Sequence, residues 1–172
     1  MSIAKKISLE NAKQNKLFYF VANVVIYRES DSRCLILQRS AREKVHPLKW
    51  GVPGGKLEWD QLDISKPSRV NGDVLDFENA VENLLAREAK EEAGVDINGK
   101  LEYINSVAFV RPDETPVILV KFAAKYAGGE VILEADSFDK FAWVNAKEVT
   151  SYDCIIGVKK EIKETIDLFT KC

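Results

Sequence analysis

One stretch in the middle of the chain constrains the fold most, because acidic side chains occupy positions where a helix should bury hydrocarbon. Apolar side chains at the i, i+3, i+4 spacing of a core-facing stripe predict an amphipathic helix over residues 76–93, with Asp76 as its N-cap. Continuing this stripe toward the C-terminus reaches Glu88 and Glu92, just before Gly94, the glycine expected to end the helix. The apolar members of the stripe are Val81, Leu84 and Leu85.

The acidic end of this helix is costly unless a cation neutralises it. The three acids are Glu88, Glu91 and Glu92. Neighbouring carboxylates repel one another and oppose the helix dipole, each by a few tenths to about 1 kcal/mol. Arg87 can pair with Glu91, but one pair does not neutralise three acids. Mg²⁺ and Mn²⁺ prefer carboxylate oxygens, so the pattern favours a metal site over the alternative of a solvated acidic helix end.

Length and charge balance limit the classes of protein to which the chain can belong. With 172 residues, 46% of them hydrophobic, it can bury one good core, so residues 1–172 are expected to form a single domain. A formal net charge of -2 does not suit a surface that coats nucleic acid or a polybasic membrane patch. We therefore expect neither a nucleic-acid polymer nor a membrane as partner, while local basic residues can still bind phosphates.

Neither the N-terminus nor the cysteines indicate export. Residues 1–16 are polar and lack the hydrophobic core of a signal peptide, and the apolar run 17–27 is too short to cross a bilayer. The three cysteines are scattered without metal-site spacing; Cys34 lies in a strand-like run and should be buried, whereas the terminal Cys172 should be exposed. A cytoplasmic protein in a reducing compartment fits these features.

The rest of the pattern predicts two early strands, an irregular middle, and a second group of strands before a closing helix. The early strands cover 18–27 and 33–38 and are followed by a basic loop. A Gly/Pro turn occupies 50–56, and residues 59–73 lack a clear period, so we expect an irregular insertion there. This order argues for an α+β fold or a sandwich. The later strands and the closing helix are expected at 101–110, 117–126, 130–133, 141–144 and 155–169.

The residues around the acidic helix resemble the signature of a known family. Gly55 and the run Arg87–Val95 match most of the Nudix box, which ends in Arg-Glu-apolar-x-Glu-Glu-x-Gly-apolar. The segments WGVPGGKLE at 50–58 and FAWV at 141–144 resemble strands and turns that flank the functional site in that family. The resemblance covers roughly residues 17–150, and on it the chain is identified as a member of the Nudix hydrolase family, of the MutT-like kind.

Two features depart from the family pattern. Asn79 stands where the family has its first glutamate, and residues 56–78 supply 23 positions where the family has five. We expect the box region 54–95 to keep the metal site, with an insertion at about 59–76 that reshapes the rim of the cleft. Glu58 remains as an acid in the turn before that insertion.

The resemblance implies an α/β/α sandwich around a mixed β-sheet and a hydrolase that cleaves a nucleoside diphosphate linked to another moiety. The expected substrate is a small-molecule diphosphate of the nucleotide or nucleotide-sugar type. One of the three acids, Glu88 by preference, would also deprotonate the attacking water, while Arg87 orients them; Glu91 is a further catalytic candidate. The implied ligands of Mg²⁺ or Mn²⁺ are Glu88, Glu91, Glu92 and the carbonyl of Gly55.

A loop near the end of the fold offers a further candidate base. Some family members use an additional acid from this region, and here Glu134, Asp136 and Asp139 precede Trp143. Asp136 is the first choice. The plainer alternative for any one of the three is a solvated loop acid.

Cations and aromatic rings outside the box could contact the substrate. Arg39, Lys56 and Arg111 are candidates to bind phosphates, with surface solubility as the alternative for each. A ring from residues 18–20 could stack on a base, although core packing is favoured for this aromatic run.

Two other functions remain open alternatives. A Nudix-fold nucleotide-binding or regulatory module could keep the cleft with weak or no turnover, but all three acids are present. A diphosphate isomerase would need a cysteine in the cleft, and Cys34 is expected to point into the core. A homodimer is possible, and the sequence offers no motif that selects one nucleoside diphosphate derivative.

Overall fold

A mixed β-sheet with one helix on each face forms the structure, a computed structural model that describes residues 3–171. Cys172, which the sequence predicts to be exposed, lies outside these residues. The helices are α1 (Ala80–Ala93) and α2 (Val158–Thr170). The strands are β1 (Tyr19–Arg28), β2 (Arg33–Arg39), β3 (Trp50–Gly51), β4 (Gly54–Lys56), β5 (Arg69–Asn71), β6 (Val74–Asp76), β7 (Asp96–Ile97), β8 (Glu102–Val110), β9 (Pro116–Gly128) and β10 (Phe138–Val144).

The sheet is mixed because one central pair of strands runs parallel. Over the described part of the chain it has eight strands, with the central order β10-β2-β1-β9-β7. Strands β1 and β9 pair in parallel from Tyr19↔Val117 to Tyr27↔Lys125. The other strand pairings in this sheet are antiparallel, including β4 against the first half of β1 and β8 against β9. The predicted mixed sheet is confirmed.

Alternation along the central strands builds a separate core on each face of the sheet. Successive strand residues point to opposite faces, so Val24 of β1 packs in the core that contains α1, while its neighbour Val25 packs in the core that contains α2. Leu84 and Leu85 of α1 are buried in the first core, as their spacing predicts. Cys34 is fully buried in the second core, as expected. The α/β/α sandwich is therefore confirmed.

Helix α1 ends where the sequence predicts but begins later. Gly94 ends it with a φ of 71°, a left-handed conformation that glycine adopts without strain. The predicted start at Asp76 is wrong, because the helix begins at Ala80 and Asp76 belongs to β6. Asp76 accepts a hydrogen bond from Arg69 instead of capping the helix. Asn79 occupies the N-cap with a φ of 56° and makes no side-chain capping bond.

The inserted segment is more ordered than its sequence suggests. Its start forms a short 3₁₀ turn, Trp59–Gln61, and its end forms the hairpin of β5 and β6. Arg69 ties this hairpin together by pairing with Asp76 at 2.8 Å and with Glu78 at 3.0 Å. The prediction of an irregular segment over 59–73 is therefore wrong at its C-terminal end, because the hairpin depends on cross-strand pairing that no periodic pattern announces.

Residues 130–133 do not form the predicted strand. Their backbone runs past the end of α1, where the N–H of Ile132 donates to the carbonyl of Ala93 at 3.0 Å. The N–H of Glu134 likewise donates to the carbonyl of Glu92 at 3.1 Å. The last carbonyls of a helix lack partners within the helix, so this segment satisfies them instead of extending the sheet.

The last strand and the last helix each begin three residues away from the predicted start, the strand earlier and the helix later. Strand β10 begins at Phe138 instead of 141, and α2 begins at Val158 instead of 155. Gly157 precedes α2 with a φ of 101°, outside the helical region, so the helix cannot start earlier. Among residues 3–171, no helix combines the length and apolar character needed to cross a membrane.

Candidate active site

Two glycines of β4 bring the backbone of this strand against the acids of α1. A Cβ atom built on Gly55 would lie within 3.0 Å of all three atoms of the Glu88 carboxyl group. The N–H of Gly54 donates a hydrogen bond to Oε2 of Glu92 at 3.0 Å. Any larger residue at position 55 would collide with Glu88, so glycine is what permits this approach.

Burial dominates the environment of Glu92. It raises the pKa of Glu92 to about 8, and the negative charges of Glu88 and Glu134 raise it further. The hydrogen bond from Gly54 and the positive charge of Arg39 act in the opposite direction. A carboxyl group in this environment binds a proton or a cation more readily than an exposed carboxylate would.

Arg87 holds the two other acids of the helix. Its Nη2 donates to Oε1 of Glu88 at 2.7 Å, and its Nε lies 3.6 Å from Oε2 of Glu91. The hydrogen bond to Glu88 raises the pKa of Arg87 above its ordinary value, with smaller contributions from the charges of Glu91 and Glu58. Glu88 is largely covered, with 15% of its side chain exposed, while Glu91 is 58% exposed. Arg87 therefore has the contacts expected of an orienting residue.

The donor set at this site suits a hard divalent cation. It combines three carboxylates on neighbouring turns of α1 with the backbone of the glycine turn, and all the donors are oxygen atoms. Within residues 3–171, however, no three acidic, histidine or cysteine side chains converge closely enough to form a ready-made metal cage. Glu88 is turned toward Arg87, and Glu92 toward Gly54. This arrangement fits Mg²⁺, which typically takes one or two protein carboxylates and completes its shell with water and substrate phosphates.

An open cleft of about 580 Å³ lies over the glycine turn and the acidic helix end. Glu58 and Gln61 line it and were missed as site residues. Glu58 acts electrostatically on Arg87, and Gln61 bonds back to the backbone of Glu58 in a capping box. Glu58 could have been predicted, because it lies in the segment 50–58 that resembles the family. Gln61 lies in the insertion, where no pattern points to a role in the site. The lining residues are Gly54, Gly55, Lys56, Glu58, Gln61, Arg87, Glu88 and Glu91.

The structure separates the loop acids that the sequence groups together. Asp136 is exposed and forms an ion pair with Arg42. Its backbone has a positive φ of 70°. Glu134 instead lies near enough to Glu92 for its charge to raise the pKa of that residue. Glu134 follows the segment that bonds to the end of α1, and this contact was not visible in the sequence.

The three candidate phosphate ligands occupy different places. Lys56 lines the cleft directly. Arg39 lies close enough to Glu92 to lower its pKa, although its guanidinium also bonds to the carbonyl of Val45 at 2.8 Å. Arg111 pairs with Asp113 in the turn between β8 and β9 and is not among the residues that line the cleft. The structure thus brings Lys56 and Arg39, but not Arg111, close to the acids.

Comparison with protein families and known proteins places most of the chain within one family model. The family model described as the NUDIX domain matches residues 19–166. One curated protein, the NAD-capped RNA hydrolase NudC of Pseudomonas putida (strain W619), is 29% identical over 70 residues. This match covers 41% of the chain and 24% of the relative, so the chain spans about a quarter of the length of the curated protein that it matches.

Solved structures show the same fold at low sequence identity. The MutT protein of Methanosarcina mazei Go1 aligns with a TM-score of 0.60 and 21% identity, over 90% of this chain and 96% of that one. The NUDIX domain of Shewanella oneidensis NrtR, in a cocrystal with ADP ribose, aligns with a TM-score of 0.65 and 16% identity, over 94% of this chain and 96% of that one. These similarities concern the fold alone.

Proposed function

Because the chain belongs to the Nudix family, whose members act on phosphoric anhydride bonds, we propose that it is a metal-dependent pyrophosphohydrolase. Its substrate is a nucleoside diphosphate linked to another moiety. The observation that carries the proposal is the packing of Gly55 against the carboxylate of Glu88, together with the hydrogen bond from the N–H of Gly54 to Glu92. This contact unites the two halves of the box across the insertion that separates them.

The roles proposed for the residues follow from their positions. Glu88, Glu91, Glu92 and the carbonyl of Gly55 hold Mg²⁺ or Mn²⁺. When bound, the cation offsets charge on the diphosphate oxygens and lowers the pKa of a water molecule. Arg87 keeps Glu88 and Glu91 in position through the ion pairs that it forms with them. The protein mainly positions the reactants and stabilises charge, as is usual in phosphoryl transfer.

The proposed reaction is a displacement at phosphorus. The oxygen of water bonds to one phosphorus of the diphosphate as the bond from that phosphorus to the bridging oxygen breaks. The bridging oxygen leaves with the electron pair, and a carboxylate accepts the proton of the water. Glu88 is the preferred base because it is covered and held by Arg87, and Glu134 is the loop acid that we favour over Asp136 as a second candidate.

Cations around the cleft would bind the phosphates. Lys56 lines the cleft beside Gly55, and Arg39 acts on Glu92 from the end of β2. A positive charge at each place would favour an anionic substrate between them. We propose that residues 1–172 act as one domain in the cytoplasm, with a small nucleotide-type molecule as substrate.

A substrate panel with and without Mg²⁺ tests the proposal. The panel contains ADP-ribose, NADH, a diadenosine polyphosphate, a nucleotide sugar and a nucleoside triphosphate, and chromatography identifies the phosphorylated products. We expect at least one compound to yield a nucleoside monophosphate and a second phosphorylated product only when a divalent cation is present. If no compound is hydrolysed but some raise the melting temperature, the chain is instead a nucleotide-binding or regulatory module.

Replacing each glycine of β4 by alanine should separate effects on the site from effects on the fold. Gly55→Ala is expected to lower kcat/KM by about a hundredfold with little change in thermal stability, because the atoms nearest to the new methyl group are those at the end of the Glu88 side chain rather than backbone atoms, so that the carboxylate shifts out of place. Gly54→Ala should destabilise the protein by about 1–3 kcal/mol, since its Cβ meets the backbone of Ala22 and Asn23. Steady-state kinetics and urea unfolding measure the two effects. Full activity in Gly55→Ala would contradict the contact with Glu88.

A further inference from the structure

A second cavity adjoins the carboxylate cleft and differs from it in chemistry. Its volume is about 800 Å³, and its walls are mainly apolar and aromatic. Lys56 and Glu58 line both cavities, so a ligand with its phosphates over Gly55 can reach the second cavity directly. The residues that give it its apolar character are Leu9, Leu17, Phe18, Tyr19, Phe20, Leu57 and Trp59.

Part of this cavity is built by residues that precede the family match, and part by the insertion. The family match begins at residue 19, whereas the wall that contains Leu9 and Leu17 precedes it. Trp59 comes from the insertion that separates the two halves of the box. These elements lie beside the carboxylate cleft, so they are placed to contact a ligand that extends out of it.

Three of the four aromatic rings that line this cavity are more than half exposed, while Phe20 packs partly against the core. Trp59 is 60% exposed, Phe18 52% and Tyr19 53%. Apolar patches of this kind on a soluble protein commonly mark a place where a ligand or partner binds. The expectation that the rings of 18–20 pack in the core is therefore wrong for Phe18 and Tyr19.

We infer that this cavity binds the nucleobase of the diphosphate substrate, and that Trp59 is the residue on which the base stacks. This inference rests on the proposed function and deepens it. A flat heteroaromatic ring matches exposed aromatic walls, because bases stack on such rings through their π-faces. Gln14, Lys16 and Thr115 also line the cavity and offer polar groups to the edge of a base. An isoprenoid chain could not form hydrogen bonds with these polar groups, whereas a base can, so a base fits the cavity better.

The path of the ligand follows from the shared wall. The diphosphate lies over the glycine turn between Lys56 and the acids of α1, and the nucleoside extends past Lys56 toward Trp59. The second moiety of the substrate then projects to the open side of the cleft. We therefore expect the protein to discriminate between substrates chiefly by their nucleoside and to accept different second moieties.

Substitution of Trp59 provides a kinetic test. For the best base-containing substrate of the panel, Trp59→Ala should lower kcat/KM by about 5- to 100-fold, mainly through KM, because stacking on one ring is lost. Trp59→Phe should retain most of the activity, since it keeps an aromatic ring. Hydrolysis of phosphoribosyl diphosphate, which lacks a base, should fall less in Trp59→Ala than hydrolysis of the base-containing substrate does. Val70→Ala, another exposed apolar residue of the insertion that does not line the cavity, is the matched control.

Fluorescence gives a readout that does not depend on turnover. ADP, GDP, CDP and UDP are titrated into the protein in the absence of divalent cations, with inorganic diphosphate as the base-free probe. At least one nucleotide should quench the wild-type emission, and this quenching should be absent in Trp59→Phe, while inorganic diphosphate has no effect. A failure of all four nucleotides to quench would overturn the inference.

The two experiments distinguish the pocket from the reaction. If a nucleotide quenches Trp59 but no diphosphate is hydrolysed, the proposed function fails and the pocket stands. If hydrolysis proceeds but Trp59→Ala leaves kcat/KM for the base-containing substrate unchanged, the pocket is overturned and the function stands. Preference for geranyl diphosphate over every nucleotide would also overturn the inference, in favour of an isoprenoid occupant.

Discussion

Glu92→Gln is expected to lower Mg²⁺-dependent turnover by about 10²- to 10⁴-fold, because a carboxylate ligand contributes to several kcal/mol of charge stabilisation by the metal. The amide keeps the size of the side chain and can still accept the hydrogen bond from Gly54. Burial raises the pKa of Glu92 to about 8, so without metal this group is mostly neutral at pH 7 and an amide resembles it closely. The thermal midpoint in EDTA should therefore change little.

The measurement compares kcat/KM over a range of Mg²⁺ concentrations with thermal unfolding in EDTA. Glu82→Gln is the matched control, because it makes the same substitution in the first turn of α1, away from the cleft. We expect Mg²⁺ to raise the melting temperature of the wild type and of Glu82→Gln more than that of Glu92→Gln. Wild-type activity in Glu92→Gln would refute the assignment of Glu92 as a metal ligand.

Lys121→Met is expected to destabilise the protein by about 3–5 kcal/mol, since it leaves a buried carboxylate without its cation. Lys121 of β9 forms an ion pair with Glu161 of α2, and these side chains are only 10% and 3% exposed. The pair lies on the face of the sheet opposite α1. A Cβ on Gly157 would come within 2.6 Å of Oε1 of Glu161, so the carboxylate is also covered by the chain that leads into α2.

Urea unfolding of three variants tests this expectation. The double variant Lys121→Met/Glu161→Leu should recover most of the lost stability, because a buried pair can be replaced by apolar residues at little cost. Lys125→Met is the matched control on the same strand. Its partner Glu29 is 69% exposed, so a loss within about 1 kcal/mol is expected. A loss of that small size in Lys121→Met would show that water reaches Glu161.

Local periodicity predicts α1 well because its signal is carried by neighbouring residues. The spacing of Val81, Leu84 and Leu85 predicts the buried face, and Gly94 marks the end that the structure shows. The bounds of β1 and β2 are also predicted within about a residue, since runs of β-branched residues suit a sheet buried on both faces.

Elements that depend on distant partners escape such prediction. Asp76 resembles an N-cap until its pairing with Arg69 in a hairpin is known. Residues 130–133 resemble a strand because they are apolar, but their hydrogen bonds serve the end of α1. In each case the hydrogen-bond partner lies several residues away or on another element, so the local sequence does not predict the pairing.

The candidate site divides in the same way. Local sequence alone predicts the three acids that we propose as cation ligands, because helical spacing suffices to place Glu88, Glu91 and Glu92 near one another at the end of α1. The groups that join these acids depend on tertiary packing. It brought Gly54 and Gly55 onto the carboxylates, placed Glu134 near Glu92 and Asp136 beside Arg42, and set Trp59 beside the rings of β1. The physical reason is that helical geometry relates residues three and four apart, whereas these contacts depend on how the sheet, the insertion and the loops pack together.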